Sequence, residues 1–444
     1  MSLKSSLQKK APAVFAAYHF LWAWLGARAH KRPSRRIYVI GITGTKGKTT
    51  TLELLNAILE AAGKRTAILS SLRMKIGDES RKNPTGNSMP GRAAIQKFLR
   101  AARRAGCGYA LVEVTSQGVV QHRHRFVDWN MGVLTNLHPE HIESHGSFDK
   151  YRAAKLSFLK YVLKMGGKVF LNRDDKEFGF FEGELTRMKN GEEKTVAYSR
   201  TDERLGEHIA RAERMREREE MGGNREGTAM SAPQFLLRNF NLDNIAVAVA
   251  IAKELGIAEK IIEEALGNFK GVPGRMEFVI QGPFTAIVDY AHTPDSLEAA
   301  YIAAREQLIE GDENTPGGRL VCVLGAAGGG RDVWKRPEFG KIAAHYCDEI
   351  ILTNEDPYNE EPQAIIDEIA TGIAQVPHPR PEFSVVIDRR EALAQAINSM
   401  DEGDIVIATG KGSEDWIHVA HGRKLAWNEK ATVEELLMAK AKKK

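Results

Sequence analysis

The segment from Ile37 to Ala62 constrains the fold more than any other part of the chain. An apolar run, Ile37–Thr43, passes into Gly44-Thr45-Lys46-Gly47-Lys48-Thr49-Thr50. An amphipathic stretch begins at Lys48, with Leu52, Leu55, Ile58, Leu59 and Ala62 on one side and Gly63 as its stop. A strand feeding a glycine-rich turn that opens a helix is the setting of a phosphate-binding loop. Glycines let backbone N–H groups approach phosphate oxygens, and the helix N-terminus adds a favourable dipole. Lys48 is placed to reach β- and γ-phosphates, and Thr49 to hold Mg²⁺ through its hydroxyl. The strict pattern asks for a glycine five positions before Gly47, where this chain has Ile42. A plain glycine-rich turn is the alternative, but the Gly-Lys-Thr core and the strand–loop–helix context are complete.

The rest of the chain repeats the same alternation. Strand-like runs at Ala67–Ser70, Tyr109–Val114, Met131–Leu137 and Lys168–Asn172 are interleaved with helix-like stretches at Ala93–Ala105 and Phe148–Lys164. Such alternation predicts a mainly parallel sheet with helices on its faces. Helical periodicity returns at Asn244–Leu255 and Ile261–Phe269, and Gly271-Val272-Pro273-Gly274 then marks a boundary. Beyond it, runs at Phe284–Tyr290, Arg319–Leu324, Glu349–Thr353, Phe383–Ile387 and Asp404–Ala408 predict a second α/β domain. The expected organisation is an apolar helix with a basic linker (1–36), a central ATP-binding domain (37–272) and a C-terminal domain with a lysine-rich tail (273–444). The charged stretch between Arg200 and Met230 is expected to form an exposed helix followed by a mobile loop.

Composition narrows the function classes. With 43% apolar and 27% charged residues, the 444-residue chain is an ordinary globular sequence long enough for two or three domains. Its net charge of +5 is mild, and no basic stripe is interleaved with aromatics, which argues against a nucleic-acid partner. Cys107, Cys322 and Cys347 have no paired spacing and are expected as buried free thiols in a reducing compartment. Ala11–Leu25 is apolar nearly all round and is flanked by Lys9, Lys10, Lys31 and Arg32. It is short for a spanning helix, which needs about 20 apolar residues. A signal peptide is set aside because ATP chemistry is cytosolic. Two readings stay open: a helix docked on the body of the protein, or one lying in a membrane interface.

Taken together, the motifs resemble the Mur ligase family. Thr43-Gly44-Thr45-Lys46-Gly47-Lys48-Thr49-Thr50 looks like its ATP loop, which usually has Asn where Lys46 stands. Glu113-Val114-Thr115-Ser116-Gln117-Gly118 resembles its glutamate segment. Thr135-Asn136-Leu137, His141, His145-Gly146, Tyr151 and Lys155 resemble a second metal segment. Phe240-Asn241-Leu242-Asp243-Asn244, Gly274-Arg275-Met276-Glu277, Asp289-Tyr290-Ala291-His292-Thr293-Pro294-Asp295, Gly329-Gly330-Arg331-Asp332 and Gly410-Lys411-Gly412 follow in the family's order. The likeness covers roughly residues 37 to 436 and is nearest the MurE type, which adds the third residue of the peptidoglycan stem peptide.

The resemblance implies a P-loop ATPase domain followed by a Rossmann-like domain. It implies a cytoplasmic, monomeric ligase that uses ATP and Mg²⁺ to join an amino acid to a UDP-muramyl dipeptide through an acyl phosphate. Lys48, Glu113, His141 and Lys155 are the implied catalytic residues, and Thr49, Glu113, His141 and carbamylated Lys155 the implied metal site. Asn244, Arg275 and Asp289 join Gly44–Thr50 around the nucleotide. Thr115, Ser116, His292, Arg331, Asp356, Tyr358, Gly410 and Glu414 are implied at the substrates.

Some positions depart from the family pattern. Glu140 and Glu143 stand where Asp is usual, and Ser413 replaces a His. Only about 36 residues precede the ATPase segment, so the N-terminal domain that grips the UDP-sugar is absent or reduced, and a lipid-linked acceptor stays open. Diaminopimelate enzymes usually carry Asp-Asn-Pro-Arg, whose Arg pairs with the distal carboxylate, whereas this chain has Glu355-Asp356-Pro357-Tyr358. Asp356 suits a distal ammonium, which favours lysine or another diamine. The rival readings are a folylpolyglutamate-synthase-like or cyanophycin-like ligase, and a nucleotide-binding protein without ligase activity.

Overall fold

The computed structural model describes residues 12–83, 87–91, 93–140, 145–221, 241–281, 283–308, 317–330, 332–377 and 380–442. These form two compact units that divide between Lys270 and Gly271.

The first unit begins with helix α1 (Pro12–Ala29) and a 3₁₀ turn, Pro33–Arg36. Strand β1 (Tyr38–Thr43), helix α2 (Lys48–Ala61), β2 (Thr66–Leu69), β3 (Arg73–Ile76) and β4 (Glu79–Lys82) follow. Then come α3 (Ala94–Arg104), β5 (Tyr109–Glu113), α4 (Ser116–Val120), β6 (Met131–Leu134), α5 (Phe148–Lys164), β7 (Lys168–Asn172), α6 (Phe178–Thr186) and β8 (Thr195–Tyr198). Helices α7 (Glu203–Met221), α8 (Leu242–Glu254) and α9 (Glu259–Gly267) complete the unit. The strands form one sheet in the order β4-β3-β2-β5-β1-β6-β7-β8, parallel except for the β2–β3–β4 edge. Val39, Ile40 and Ile42 of β1 are fully buried, as expected of a central parallel strand covered on both faces. Trp129 and Phe158 pack edge-to-face at 5.2 Å against the same strand, over Gly41.

Strand order fixes what surrounds the phosphate loop. β1 lies between β5 and β6, with Ile42 opposite Glu113 and Thr43 opposite Leu134. The carboxylate ending β5 is therefore on one side of the loop, and the Thr135-Asn136 segment leaving β6 is on the other.

The second unit comprises β9 (Glu277–Gln281), β10 (Phe284–Val288), α10 (Pro294–Arg305), β11 (Leu320–Leu324), α11 (Lys335–Tyr346), β12 (Glu349–Leu352) and α12 (Pro362–Ala374). It continues with β13 (Glu382–Val385), α13 (Arg389–Ser399), β14 (Ile405–Ala408), the hairpin β15 (Trp416–His418) and β16 (Lys424–Ala426), and α14 (Glu429–Ala441). Its sheet has the order β13-β12-β11-β14-β10-β9, parallel except for β9. Buried Arg389 pairs with Glu429 and donates to the carbonyls of Asn354 and Thr409, tying the loop ends of this sheet together.

Two sequence expectations change, and one hairpin is new. Cys322 and Cys347 form a disulfide, with Cα atoms 6.1 Å apart, and only Cys107 is a free thiol. Spacing alone hid the pair. Cys322 lies within β11 and Cys347 ends the helix that leaves that strand and returns to its start, so the β–α crossover brings them together. The charged helix α7 is not exposed all round: Leu205, His208 and Ala212 are buried, and His208 Nδ1 lies 2.9 Å from Glu263 of α9. Those positions form one helical stripe that the surrounding charges obscure. The hairpin of β3 and β4 went unanticipated because β4 is wholly exposed and polar, with no apolar alternation to read. Residues 222–240, where a loop was expected, lie outside the described residues.

Candidate active site

The phosphate loop runs from the end of β1 into α2, and its two glycines are dictated by crowding. Gly44 (φ 153°) sits so near Thr135 that a Cβ would lie 1.8 Å from its hydroxyl. Gly47 (φ 76°) would bring a Cβ within 2.1 Å of Asn244 Oδ1. A side chain at either position would meet both steric and backbone penalties. The loop is pinned from outside. Lys46 N–H donates to Asn136 Oδ1 at 2.8 Å, Thr135 Oγ1 donates to Lys46 O at 2.6 Å, and Thr45 N–H donates to Asn136 O at 3.0 Å. Thr45 Oγ1 accepts from His138 N–H at 3.0 Å and meets the Tyr151 hydroxyl at 3.0 Å. Asn244, buried on α8, accepts from Thr51 Oγ1 at 3.1 Å, so it acts on the loop through α2. Thr50 lies in the first turn of α2. Lys48 curls back, donating to Gly44 O at 3.0 Å and Thr45 O at 2.8 Å.

Beside the loop, Thr49 Oγ1 donates to Glu113 Oε1, and Ser71 N–H donates to Glu113 Oε2 at 3.1 Å. Glu113 is buried at the carboxyl end of its strand, where such sheets bind ligands. These hydroxyl and carboxylate oxygens are hard donors. Among the described residues no three His, Cys, Asp or Glu side chains gather as a metal cage. The donor set fits Mg²⁺, which takes one or two carboxylates together with substrate phosphates and water. Ser71 was not anticipated. It sits just past β2, and only the adjacency of β2 to β5 brings it to Glu113.

Lys155, on α5, is 1% exposed and donates to Gly44 O at 2.7 Å, with its Nζ 4.6 Å from the Tyr151 ring centroid. Burial holds its pKa well below the ordinary lysine value; the nearby Lys48 cation pushes the same way and Glu140 opposes. His141, expected as a metal ligand, and Glu143 lie outside the described residues. Thr115 caps α4 by accepting from Gly118 N–H at 3.1 Å, and Ser116 Oγ lies 3.0 Å from His145 Nε2. Tyr151, Thr135 and Asn136 belong to segments quoted for the family likeness, but their loop-pinning roles needed the structure.

Within the second unit the expected residues form two linked groups. Asp289 is buried and accepts from Met276 N–H and Ala291 N–H, both at 2.7 Å. Arg275 lies 4.2 Å from the Tyr290 ring centroid, and His292 Nδ1 is 2.9 Å from Tyr290 O. Tyr290 OH donates to Glu414 Oε1 at 3.2 Å, which joins this group to the second. There, fully buried Lys411 donates to Glu414 Oε2 at 2.6 Å and to Asp356 Oδ1 at 2.9 Å. His418 N–H donates to the same Asp356 oxygen at 2.8 Å. Asp356 is thus charge-compensated from within, and its reading as an open partner for a distal ammonium does not carry over. Gly410 (φ 98°) packs against Glu355, whose carboxyl burial pushes up to about 7 against the pull of Lys411 and Arg389. Tyr358 stacks on His418 at 5.1 Å with an 18° tilt. Arg331 lies outside the described residues.

Comparison with known proteins places the chain in a family. The Mur ligase middle domain matches residues 42–252, and the Mur ligase glutamate ligase domain matches residues 274–412. A UDP-N-acetylmuramoyl-L-alanyl-D-glutamate–2,6-diaminopimelate ligase of Syntrophomonas wolfei is 36% identical over 424 residues, covering 95% of this chain and 82% of the relative. A UDP-N-acetylmuramyl-tripeptide synthetase of Deinococcus radiodurans is 34% identical, covering 91% of this chain and 79% of that protein. The ADP complex of the MurF ligase of Thermotoga maritima shares the fold, with a TM-score of 0.61 at 14% identity over 95% of this chain and 83% of that one. The chain belongs to the Mur ligase family, whose members are ATP-dependent amide ligases that form C–N bonds.

Proposed function

We propose that the protein joins a diamino acid, L-lysine or diaminopimelate, to the terminal carboxylate of a UDP-muramyl dipeptide in peptidoglycan precursor synthesis. The observation that carries this reading is the phosphate loop with the Thr49–Glu113 oxygen pair at the start of its helix and buried Lys155 bonded to its Gly44 carbonyl. Relatives named for this reaction align with nearly the whole chain.

The reaction has two displacements. An acceptor carboxylate oxygen attacks the γ-phosphorus of ATP, the bond to the bridging oxygen breaks, and ADP leaves with the electron pair. The amine of the incoming residue then attacks the acyl carbon, the C–N bond forms, and phosphate departs as the nitrogen loses a proton. Lys48 exchanges the carbonyls of Gly44 and Thr45 for β/γ-phosphate oxygens. Thr49 and Glu113 are the residues that would hold Mg²⁺, which neutralises phosphate charge when bound. Lys155 as a neutral amine takes up CO₂, releasing one proton, and the resulting carbamate puts an anion beside the loop where the amine carried no charge. Within the second unit, Arg331, Gly410 and Glu414 hold the α-carboxylate and amine of the incoming amino acid, with Tyr358 at its distal end. The enzyme acts as a cytoplasmic monomer, in peripheral contact with a membrane through α1.

ADP release assayed with a panel of acceptors and amino acids tests the reading. Turnover should require both a UDP-muramyl dipeptide and a diamino acid. Turnover with a folate or polyglutamate acceptor in its place would assign the chain to the folylpolyglutamate-synthase-like branch. Amino-acid-independent hydrolysis alone would mean that ligase activity has been lost.

A further inference from the structure

Helix α1 docks by its small residues and turns its large ones outward. Ala23 and Ala27 are buried, and Gly26 lies so close to Ala93 that a Cβ would sit 3.0 Å from the Ala93 Cα. Phe20 packs on Phe126 and His122 at 5.1 and 5.9 Å. The opposite stripe, spaced at helical intervals, carries Val14, Leu21 and Leu25, which are 64%, 52% and 40% exposed. Trp24 is 38% exposed beside it, with the Arg28 guanidinium 5.9 Å from its ring centroid. No described helix is long and apolar enough to cross a membrane.

A cationic cleft of about 260 Å³ adjoins the C-terminal end of this helix, lined by Trp24, Ala27, Arg28, Lys31, Arg32 and Arg35. Two successive left-handed residues, Lys31 (φ 60°) and Arg32 (φ 45°), turn the chain from α1 into the 3₁₀ segment and wrap the cations around the cleft. Left-handed backbone is uncommon for residues with a Cβ. Among the described residues, Arg28, Lys31, Arg32 and Arg35 form no ion pair within 4 Å, and the Asp128 carboxylate, which accepts from Ser34 Oγ at 2.8 Å, is the acidic group of this turn. Lys97 and Arg100 on α3 add positive charge beside His30. β1 then leads away from the cleft, so the phosphate loop lies on the order of 15–20 Å further along the strand.

We propose that this face is an in-plane docking site for an anionic phospholipid bilayer. Val14, Leu21, Leu25 and the Trp24 indole enter the boundary between headgroups and acyl chains, while Arg28, Lys31, Arg32 and Arg35 bind lipid phosphates at the cleft. The inference rests on the peripheral membrane contact proposed above and specifies its chemistry. An apolar, Trp-bearing stripe bordered by a cluster of cations is the pattern of an interfacial helix, whose binding adds apolar insertion to attraction for anionic lipid. The cleft's distance from the phosphate loop leaves the catalytic end of the sheet free.

Co-sedimentation of the full chain with phosphatidylcholine vesicles, with and without phosphatidylglycerol, tests this. Binding to the anionic vesicles should be at least ~10-fold stronger than to neutral ones and should fall as salt is raised. Arg28→Gln/Lys31→Gln/Arg32→Gln/Arg35→Gln together should reduce anionic binding to the neutral level, and Leu21→Ser/Leu25→Ser should weaken both. Unchanged ADP release and thermal unfolding would show that each variant is folded. If the four-cation variant binds anionic vesicles like the wild type, the lipid-phosphate assignment fails while the peripheral contact stands. If the wild type binds neither vesicle, both fail. Self-association in ultracentrifugation that disappears with Leu21→Ser/Leu25→Ser, without vesicle binding, would assign the face to a second copy of the chain and overturn the proposal.

Discussion

Lys48 and Lys155, from different helices, donate to the same oxygen, the carbonyl of Gly44, at 3.0 and 2.7 Å. Burial, reinforced by the neighbouring Lys48 cation, holds the Lys155 amine well below the ordinary lysine value. Lys48→Ala should lower amino-acid-dependent ADP release by about 10²–10³-fold, the usual cost of losing one preorganised charge on a transferring group. Wild-type turnover in this variant would remove Lys48 from the phosphate site.

Lys155 should cost stability and supply activity. Its folded pKa lies below the unfolded value, so between the two the unfolded chain binds more protons and stability rises with pH towards the ordinary lysine pKa. Lys155→Met in bicarbonate-free buffer should therefore raise Tm at pH 7, by roughly 2–4 °C per kcal/mol recovered, and abolish ligation. A short carboxylic acid should partly restore the turnover of Lys155→Ala. A lower Tm for the Met variant would count against a strained buried amine.

Gly47 and Asn244 form a steric pair that a double-mutant cycle can read. Gly47→Ala meets Asn244 Oδ1 and a positive φ, so ATP binding should be nearly lost. Adding Asn244→Ala removes the collision and leaves the backbone cost of about 1–2 kcal/mol. Recovery should therefore be partial. Full additivity of the two losses would show that the contact does not constrain the loop.

Glu355 makes the second unit pH-sensitive. Its carboxyl is raised to about 7, so between the unfolded glutamate pKa and 7 the folded state binds more protons, and stability falls as pH rises. The slope contributed approaches about 1.4 kcal/mol per pH unit. Glu355→Gln should flatten it, raising Tm at pH 8 with little gain at pH 5. An equal change at both pH values would point to lost packing against Gly410 instead.

The proposed place of Tyr358 at the distal end of the amino acid carries a prediction about amino-acid choice. Asp356 is already held by Lys411 and His418 N–H, and under the proposed function the stacked Tyr358 ring, which lacks a cationic fork, would discriminate between amino acids. An unpaired distal carboxylate at a buried site costs about 2–5 kcal/mol, which is more than tenfold in affinity. Lysine should therefore exceed diaminopimelate in kcat/KM, and Tyr358→Arg should narrow the gap more than tenfold. Competition kinetics with both amino acids decides this, and a wild-type preference for diaminopimelate would overturn it.

The sequence by itself determined the alternating α/β architecture, because buried parallel strands must be continuous apolar runs and their helices must be amphipathic. It also determined the phosphate loop, because Gly44, Gly47, Lys48 and Thr49 are contiguous and their chemistry is local. Tertiary structure decided what depends on strand order and chain crossings. Glu113 and Ser71 meet only because β5 pairs with β2, and Lys155 reaches Gly44 only because α5 packs behind the loop. Cys322 meets Cys347 only through a crossover helix. The ion pair of Asp356 was equally illegible, since its partner Lys411 lies 55 positions away and no local pattern records that pairing.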